Sequence, residues 1–114
     1  MLNNNEKNIL NLAIEALKKN VDLPINIEIK EKELVYNNTR FDRLLKFKIK
    51  KIELLFCAEI KTVINKTTIG FLMHQRDYLP HPQILIAKYI NTITAEELRK
   101  NAIQFIDTAG NIYR

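Results

Sequence analysis

The chain has 114 residues, a formal net charge of +5 and a single cysteine, Cys57. This length suits one domain with its own hydrophobic core, and no apolar run approaches the roughly 18 residues that a membrane-spanning helix needs. One cysteine cannot form an internal disulfide, and the N-terminus lacks the basic and apolar regions of a secretory signal. We therefore expect a single-domain cytoplasmic protein without a membrane partner, whose charge permits nucleic-acid binding but does not require it.

The first predicted elements are a helix over residues 5–19 and a strand that begins at Ile25. Pro24 separates the two, and from Ile25 onward isoleucines alternate with polar residues, which is the pattern of a half-buried strand. The helix is predicted because apolar residues recur at helical spacing, and lysines in its last turn interact favourably with the helix dipole. The predicted buried face of this helix comprises Ile9, Leu12, Ala13, Ala16 and Leu17.

Residues 41–60 are predicted to form a β-hairpin around a two-residue turn, Lys50–Lys51. One register places the apolar side chains of both strands on a single face. A slip by one residue would mix the two faces and is rejected, whereas a slip by two residues would preserve them and remains open. In the preferred register the apolar pairs are Phe41–Ile60, Leu45–Phe56, Phe47–Leu54 and Ile49–Ile52, and the pairs on the other face are Lys48–Glu53, Leu44–Cys57 and Asp42–Glu59.

The rest of the chain is predicted to alternate helices and strands. A helical period follows Lys61, and "QILIAKY" is a continuous apolar run typical of a buried central strand. Thr94 precedes Glu97 by three residues, a capping box that predicts the start of a short helix at Thr94. A strand, "IQFID", and a turn, "TAGN", follow. The predicted order is α-β-β-β-α-β-α-β, a mixed α/β fold with hairpins first and crossovers later.

Three charged residues are expected to converge at the open end of the hairpin: Asp42, Glu59 and Lys61. Glu59 and Lys61 point to the same face of a strand, and the register places Asp42 opposite Glu59. Two opposed carboxylates repel each other and need a cation, either a lysine ammonium or a divalent metal such as Mg²⁺. With Mg²⁺ bound by Asp42 and Glu59, Lys61 would orient the attacking water, which is the chemistry of a phosphodiesterase nuclease. The alternative is a surface aspartate beside an ordinary Glu–Lys pair.

Two further groups of residues have both a functional and a structural interpretation. A set of lysines would contact nucleic-acid phosphates, or would form a solvated surface. The "DTAGN" segment suits a tight turn whose backbone is bonded by Asp107; in the functional interpretation, Asp107 and Asn111 face the same cleft as Glu59. The lysines are Lys46, Lys48, Lys50 and Lys51, and the cleft or turn residues are Asp107, Gly110 and Asn111.

Two segments resemble known families. Asp42, the "AEIK" that closes the second hairpin strand, and the helix and buried strand that follow resemble the PD-(D/E)xK restriction-endonuclease-like fold. The segment "ILIAKYINTITAEELRKNAIQFIDTAGNIYR" is similar to the nuclease-like domain of AbiEi-family antitoxins of type IV toxin–antitoxin (abortive-infection) systems. The similarity covers approximately residues 41–114, and its most specific motif comprises Ile103, Phe105, Asp107, Ala109, Gly110 and Asn111.

The resemblance implies a three-layer restriction-endonuclease-like fold, with a mixed sheet, an N-terminal helix, β-hairpins and then helix–strand–helix–strand. It also implies an antitoxin-like domain associated with transcriptional regulation, which binds DNA or a partner protein without catalysis. Such a domain counters a toxin of the same operon without necessarily contacting it. Family members commonly carry a winged-helix domain, which residues 1–114 lack, so we expect a single nuclease-like domain that is a fragment or a shortened relative.

Three functions therefore stay open for Asp42, Glu59 and Lys61. In a non-catalytic regulator they would form a vestigial metal site without a cofactor. In the alternative, the chain is an active Mg²⁺-dependent nuclease acting on DNA, with Asp42 and Glu59 as metal ligands. A third possibility is an interaction module whose cleft has lost its chemistry.

Overall fold

The helices and strands of the protein follow the predicted order, with short additional strands. The computed structural model describes residues 4–20, 24–31, 34–36 and 39–113. In these ranges the helices are α1 (Asn4–Asn20), α2 (Lys66–Gln75) and α3 (Thr92–Lys100), with a 3-10 helix at Arg76–Tyr78. The strands are β1 (Ile25–Glu31), β2 (Leu34–Tyr36), β3 (Thr39–Phe41), β4 (Arg43–Ile49), β5 (Ile52–Lys61), β6 (Gln83–Ala87), β7 (Gln104–Asp107) and β8 (Ile112–Tyr113). No helix in these ranges combines the length and the apolar character that a membrane span requires.

A six-stranded mixed sheet in the order β1-β4-β5-β6-β7-β8 forms the centre of the fold. β1, β4 and β5 form an antiparallel meander, β6 and β7 run parallel to β5, and β8 returns antiparallel to β7. The parallel strands are joined through α2 and α3, as parallel connections require. β2 and β3 pair with each other in a separate ladder. The predicted mixed α/β fold is therefore confirmed, and β6, buried at every position, is the central strand that the apolar run predicts.

Two hydrophobic clusters attach helices to the two faces of this sheet. On one face α1 packs against side chains of β4 to β7, and on the other face α2 and α3 pack against β6 and β7. The prediction for α1 was wrong at Leu12, which is 46% exposed, and Leu10 is buried in its place. Leu10 and Leu12 lie on opposite sides of the stripe defined by Ile9 and Ala13, and only the position of the sheet selects between them. The buried residues of α1 are Ile9, Leu10, Ala13 and Leu17.

The register predicted for the hairpin is confirmed over Arg43–Ile49. Leu45 pairs with Phe56, and Ile49 pairs with Ile52 across the turn. The tight turn is possible because Lys50 adopts a positive φ of 54°, which a lysine accepts at some energetic cost. The predicted extension of the ladder to Phe41 was wrong, because Phe41 belongs to β3 and its backbone pairs with Leu34.

The start of α3 differs from the prediction. The capping box placed it at Thr94, whereas the helix begins at Thr92 and is capped by Asn91. The Asn91 Oδ1 accepts a hydrogen bond of 2.8 Å from the Thr94 N–H, the bond that an N-cap side chain makes to the third helical residue. Thr94 therefore lies inside the first turn of the helix. Its backbone N–H donates to the capping side chain of Asn91, and Thr94 is not the capping residue itself.

The end of α3 has the hydrogen bonds of a Schellman motif with an alanine where glycine is usual. The Ile103 N–H donates to the Leu98 carbonyl at 2.9 Å and the Ala102 N–H donates to the Arg99 carbonyl at 3.0 Å. This geometry requires the left-handed conformation at Ala102, whose φ is 55°. The Cβ of Ala102 meets unfavourable contacts there that a glycine would avoid.

We expect Ala102→Gly to stabilise the protein by about 1 kcal/mol, because the relief of left-handed strain exceeds the entropy that glycine adds to the unfolded chain. Urea unfolding of the wild type and the variant measures this difference. Ala109→Gly is the matched control, since Ala109 is also exposed but does not have a positive φ. Equal stabilisation of the two variants would contradict the strain at Ala102.

Candidate functional site

The structure brings Asp42 and Glu59 together near the C-terminal end of β5. Asp42 lies in the bend between β3 and β4, where its N–H donates to the Ala58 carbonyl at 3.1 Å. Its Oδ2 accepts a hydrogen bond of 2.9 Å from the Ile60 N–H. Asp42 is thus bonded to the β5 backbone on both sides of Glu59. The adjacency that the sequence predicts is present, although it comes from the bend and not from a continued strand pair.

Glu59 is directed into the interior, on the sheet face that α2 covers. Only 3% of its surface is exposed. Its neighbour in the parallel ladder is Leu85, a member of the cluster that α2 and α3 form with the sheet. A carboxylate in this position loses most of its hydration, which strongly disfavours the ionised form.

The environment raises the pKa of Glu59 to about 7. Burial is the largest cause, and the negative charge of Asp42 is the second. Two contacts act in the opposite direction: the Gln75 Nε2 donates to the Glu59 Oε1 at 3.0 Å, and the Lys61 Nζ lies 3.9 Å from the Glu59 Oε2. These contacts do not fully offset burial and repulsion. Glu59 therefore retains its proton to a higher pH than an exposed glutamate does.

Lys61 is held at the outer side of the pair. Its ammonium lies between the Glu59 carboxylate and the ring of Phe71 on α2, 5.7 Å from the ring centroid. The side chain is 37% exposed. An ammonium with one ionic and one aromatic neighbour keeps N–H donors free for water or for an anionic group. Asp42, Glu59 and Lys61, the predicted catalytic residues, therefore do form one cluster.

Gln75 is a site residue that the sequence analysis did not include. It is the last residue of α2 and is 2% exposed. Ile69, Leu72 and Gln75 follow one another at spacings of three on the buried side of α2. A polar residue in an apolar helical stripe was the available signal, but its partner Glu59 lies 16 positions away along the chain.

The candidate metal ligands in this cluster are the two carboxylates of Asp42 and Glu59. Among the described residues, no group of three or more His, Cys, Asp or Glu side chains converges on one point. A buried zinc or calcium site would need more protein ligands. Mg²⁺ is usually bound through one or two carboxylates and retains several waters, so the donor set of Asp42 and Glu59 fits it.

The four predicted phosphate-binding lysines lie away from this cluster. Lys46 and Lys48 are on the same sheet face as Glu59, but both contact the Glu53 carboxylate, at 3.4 and 4.0 Å. Lys50 and Lys51 are exposed in the hairpin turn at the opposite end of β5. Glu59 follows Ile52 by seven positions along β5, roughly 24 Å at the usual rise per residue. The lysines thus form a partly neutralised surface at the far end of the hairpin.

The Asp107 carboxylate is the centre of the turn that follows β7. Its Oδ1 accepts hydrogen bonds from the Ala109 and Asn111 N–H groups at 3.0 and 2.9 Å. Its Oδ2 accepts from the Ile90 N–H and the Asn111 Nδ2, both at 2.9 Å. Four donors satisfy the buried carboxylate within the turn and the β6–α3 loop, as the turn interpretation of this segment predicts.

Gly110 completes this turn with a φ of 93°, which favours glycine. A Cβ at this position would collide with the side-chain amide of Asn20 at the end of α1. The glycine therefore serves the turn, and a larger residue here would also displace the Asn20 side chain.

Glu59→Gln should change how stability depends on pH. Because the folded-state pKa of Glu59 is raised to about 7 from the ordinary glutamate value of 4.5, the wild type loses stability as the pH rises through this range. The glutamine mimics the protonated acid and has no such loss. We expect the variant to be more stable at pH 8 by on the order of 2 kcal/mol and similar to the wild type at pH 4.5.

Urea unfolding at both pH values, in EDTA, measures this difference. Glu53→Gln, an exposed carboxylate on the same face of β5, is the control and should not show the same dependence. A Glu59→Gln effect that is equal at the two pH values would contradict the raised pKa.

Asp107→Asn should destabilise the fold by about 2 kcal/mol or more, because one amide donor would then face the N–H donors that now bond to the carboxylate. The comparison is Asp77→Asn, at an exposed aspartate, for which a change within about 0.5 kcal/mol is expected. Thermal unfolding of both variants tests this, and similar melting temperatures would show that the Asp107 bonds contribute little.

No family model, curated protein or solved structure matches the chain. The functional assignment therefore rests on the geometry of Asp42, Glu59, Lys61 and Gln75.

Proposed function

We propose that the protein is a nuclease-like domain in which Asp42 and Glu59 bind a divalent cation and Lys61 assists hydrolysis of a DNA phosphodiester. One observation carries this proposal: the bend at Asp42 places a second carboxylate beside the buried Glu59, at the end of a strand that also carries Lys61. Two carboxylates and a lysine in this arrangement favour cation binding and stabilisation of an anionic reaction centre.

The order of the elements around the cluster supports a restriction-endonuclease-like fold. A helix, α1, precedes the antiparallel meander β1–β4–β5, which is followed by α2 and the parallel strand β6. Asp42 precedes the middle strand of the meander, and the "EIK" segment closes the third strand. These are the positions that the PD-(D/E)xK resemblance assigns to the acidic and basic residues.

Each residue of the cluster has a separate role in the proposed reaction. Asp42 and Glu59 would hold Mg²⁺, and the ion would supply polarisation of a phosphoryl oxygen and activation of a water molecule. Gln75 fixes the Glu59 carboxylate through the bond to its Oε1, so the other oxygen is free to face Lys61. Lys61 keeps exposed donors beside the carboxylates and would position water or a phosphate oxygen.

A second candidate is an antitoxin-like domain of a type IV toxin–antitoxin system that binds DNA or a partner protein without catalysis. Two observations favour it. Glu59 is nearly inaccessible, with Gln75 and Lys61 next to its two oxygens. Lys46 and Lys48 are paired with Glu53, which weakens an electrostatic surface for a long duplex. In this case the cluster is the remnant of a metal site, and the similarity to AbiEi-family antitoxins describes the present role.

The metal site predicts a specific response to cations. We expect Mg²⁺ or Mn²⁺ to raise the melting temperature of the wild type at pH 8 and to support its cleavage of plasmid or single-stranded DNA. Both effects should be absent in Glu59→Gln and Asp42→Asn. Lys61→Ala should retain the thermal shift but lose cleavage by at least about 100-fold, the scale of a single electrostatic catalytic group. Glu53→Gln is the control for the cation effect and should keep the same rise in melting temperature with Mg²⁺ or Mn²⁺ as the wild type.

The outcomes separate the two candidates. Cation stabilisation with cleavage supports the nuclease. If the cation neither stabilises the protein nor supports cleavage, the nuclease proposal fails; DNA binding that persists in EDTA and weakens as salt rises would then favour the regulator.

A further inference from the structure

β1 is an edge strand of the six-stranded sheet. In the part of the chain that the structure describes, β4 lies on its inner side and no strand pairs with its outer side. An open edge presents a row of unpaired backbone N–H and C=O groups, which is a template for another strand. A bulge can protect such an edge, but here the pairing is regular from Ile25 to Ile29 and the irregularity comes only after Ile29. Two opposite charges in the strand, Glu28 and Lys30, contact each other at 3.6 Å and so offset one another.

The sheet face next to this edge is apolar and incompletely covered. α1 packs mainly over β5, β6 and β7, and of the apolar side chains of β1 and β4 only Leu45 is fully buried beneath it. Three apolar side chains on this face are consequently exposed: Ile29 at 43%, Ile52 at 62% and Leu54 at 47%. Ile27 and Phe47 extend the same surface and are only partly buried. Such a contiguous apolar area is typical of an interaction surface.

The regular segment Ile25–Ile29 is complementary to itself. In an antiparallel pair centred on Ile27, the Ile27 side chains of two copies face each other and Ile25 of each copy faces Ile29 of the other. The apolar rows then continue across the new junction into Phe47 of both copies, because Ile27 pairs with Phe47 in each sheet. All the isoleucines of β1 stay on the apolar face.

The charges of the opposite face are also complementary in this register. Asn26 of one copy faces Glu28 of the other, and Glu28 has Lys46 as its neighbour within its own sheet. Each carboxylate therefore lies between a lysine and an amide. A register centred on Glu28 would oppose two carboxylates, and one centred on Asn26 would leave Ile29 without an isoleucine partner.

We propose that β1 pairs antiparallel with β1 of a second copy of this chain, with the two-fold axis at Ile27, and joins the two sheets into one. The interface is isologous, as in most homodimers, and it combines backbone hydrogen bonds at the edge with burial of Ile25, Ile27 and Ile29. The inference is independent of the proposed nuclease activity, since the edge lies on the far side of β4 from Glu59.

Light scattering coupled to size exclusion tests the proposal on the whole chain. At micromolar concentration we expect a particle of twice the monomer mass of 13.4 kDa. Ile29→Lys places a charge against Ile25 of the other copy at a position that tolerates exposure, and should weaken dimerisation by at least about 100-fold. Ile52→Lys adds the same charge to the same apolar face, away from the edge, and should leave the dimer intact.

Cross-linking at the axis gives a second, independent readout. Cα atoms of directly opposed antiparallel residues are about 4.5–5.5 Å apart, which is within the range of a disulfide. Ile27→Cys should therefore form an intermolecular disulfide under mild oxidation, whereas Leu54→Cys should not. The native Cys57 is buried and does not compete.

Three results would overturn the proposal. A wild type that remains monomeric at high micromolar concentration excludes the dimer. A dimer that dissociates with Ile52→Lys but not with Ile29→Lys would mean that the apolar faces stack instead of the edges pairing. A failure of Ile27→Cys to cross-link an otherwise dimeric protein would place the interface elsewhere.

Discussion

The register between β4 and β5 is the constraint on which both the core and the site depend. Side chains alternate along β5, so that Ala58 and Ile60 enter the cluster beneath α1 while Glu59 faces α2. A slip by one residue would move the Glu59 carboxylate into the cluster beneath α1 and lift the apolar residues out of it. The burial of Ala58 and Ile60 makes that exchange unfavourable. Hydrophobic packing on one face of the strand thus determines where the charged group on the other face stands.

The Asp42–Glu59 pair works against the stability of the protein, and the surrounding fold holds it in place. The Asp42 side chain is anchored by the β5 backbone, and the Glu59 carboxylate is held by the hydrogen bond from Gln75. Gln75 and Lys61 reduce the repulsion without removing it. Groups kept in an unfavourable electrostatic state by a rigid framework are more often functional than structural. By contrast, Asp107 is buried with four donors around it, and nothing about its surroundings calls for a further ligand.

The sequence was most informative where one residue pattern excluded most physical alternatives. Alternation over two long strands excludes a one-residue slip of the hairpin, and the β4–β5 pairs follow the preferred one of the registers that remained open. The start of α3 could not, since Asn91 and Thr94 are both good caps and only the surrounding chain selects between them. The role of Gln75 depends on Glu59, a contact between distant segments that no local pattern contains. The members of the Asp42 cluster were predictable as residues, but the bend that joins them was not.

The contact between Asn20 and Gly110 has a consequence for the order of folding events. α1 is a helix of 17 residues, and most of the stability of a helix in a protein comes from packing of its amphipathic face. Its apolar stripe is buried against β5, β6 and β7, and its last residue approaches the turn after β7. The first helix of the chain therefore acquires its stabilising contacts only when the last strands are in place. Contacts between such distant segments slow folding, and until they form the stripe of α1 stays available to chaperones or to other unfolded chains.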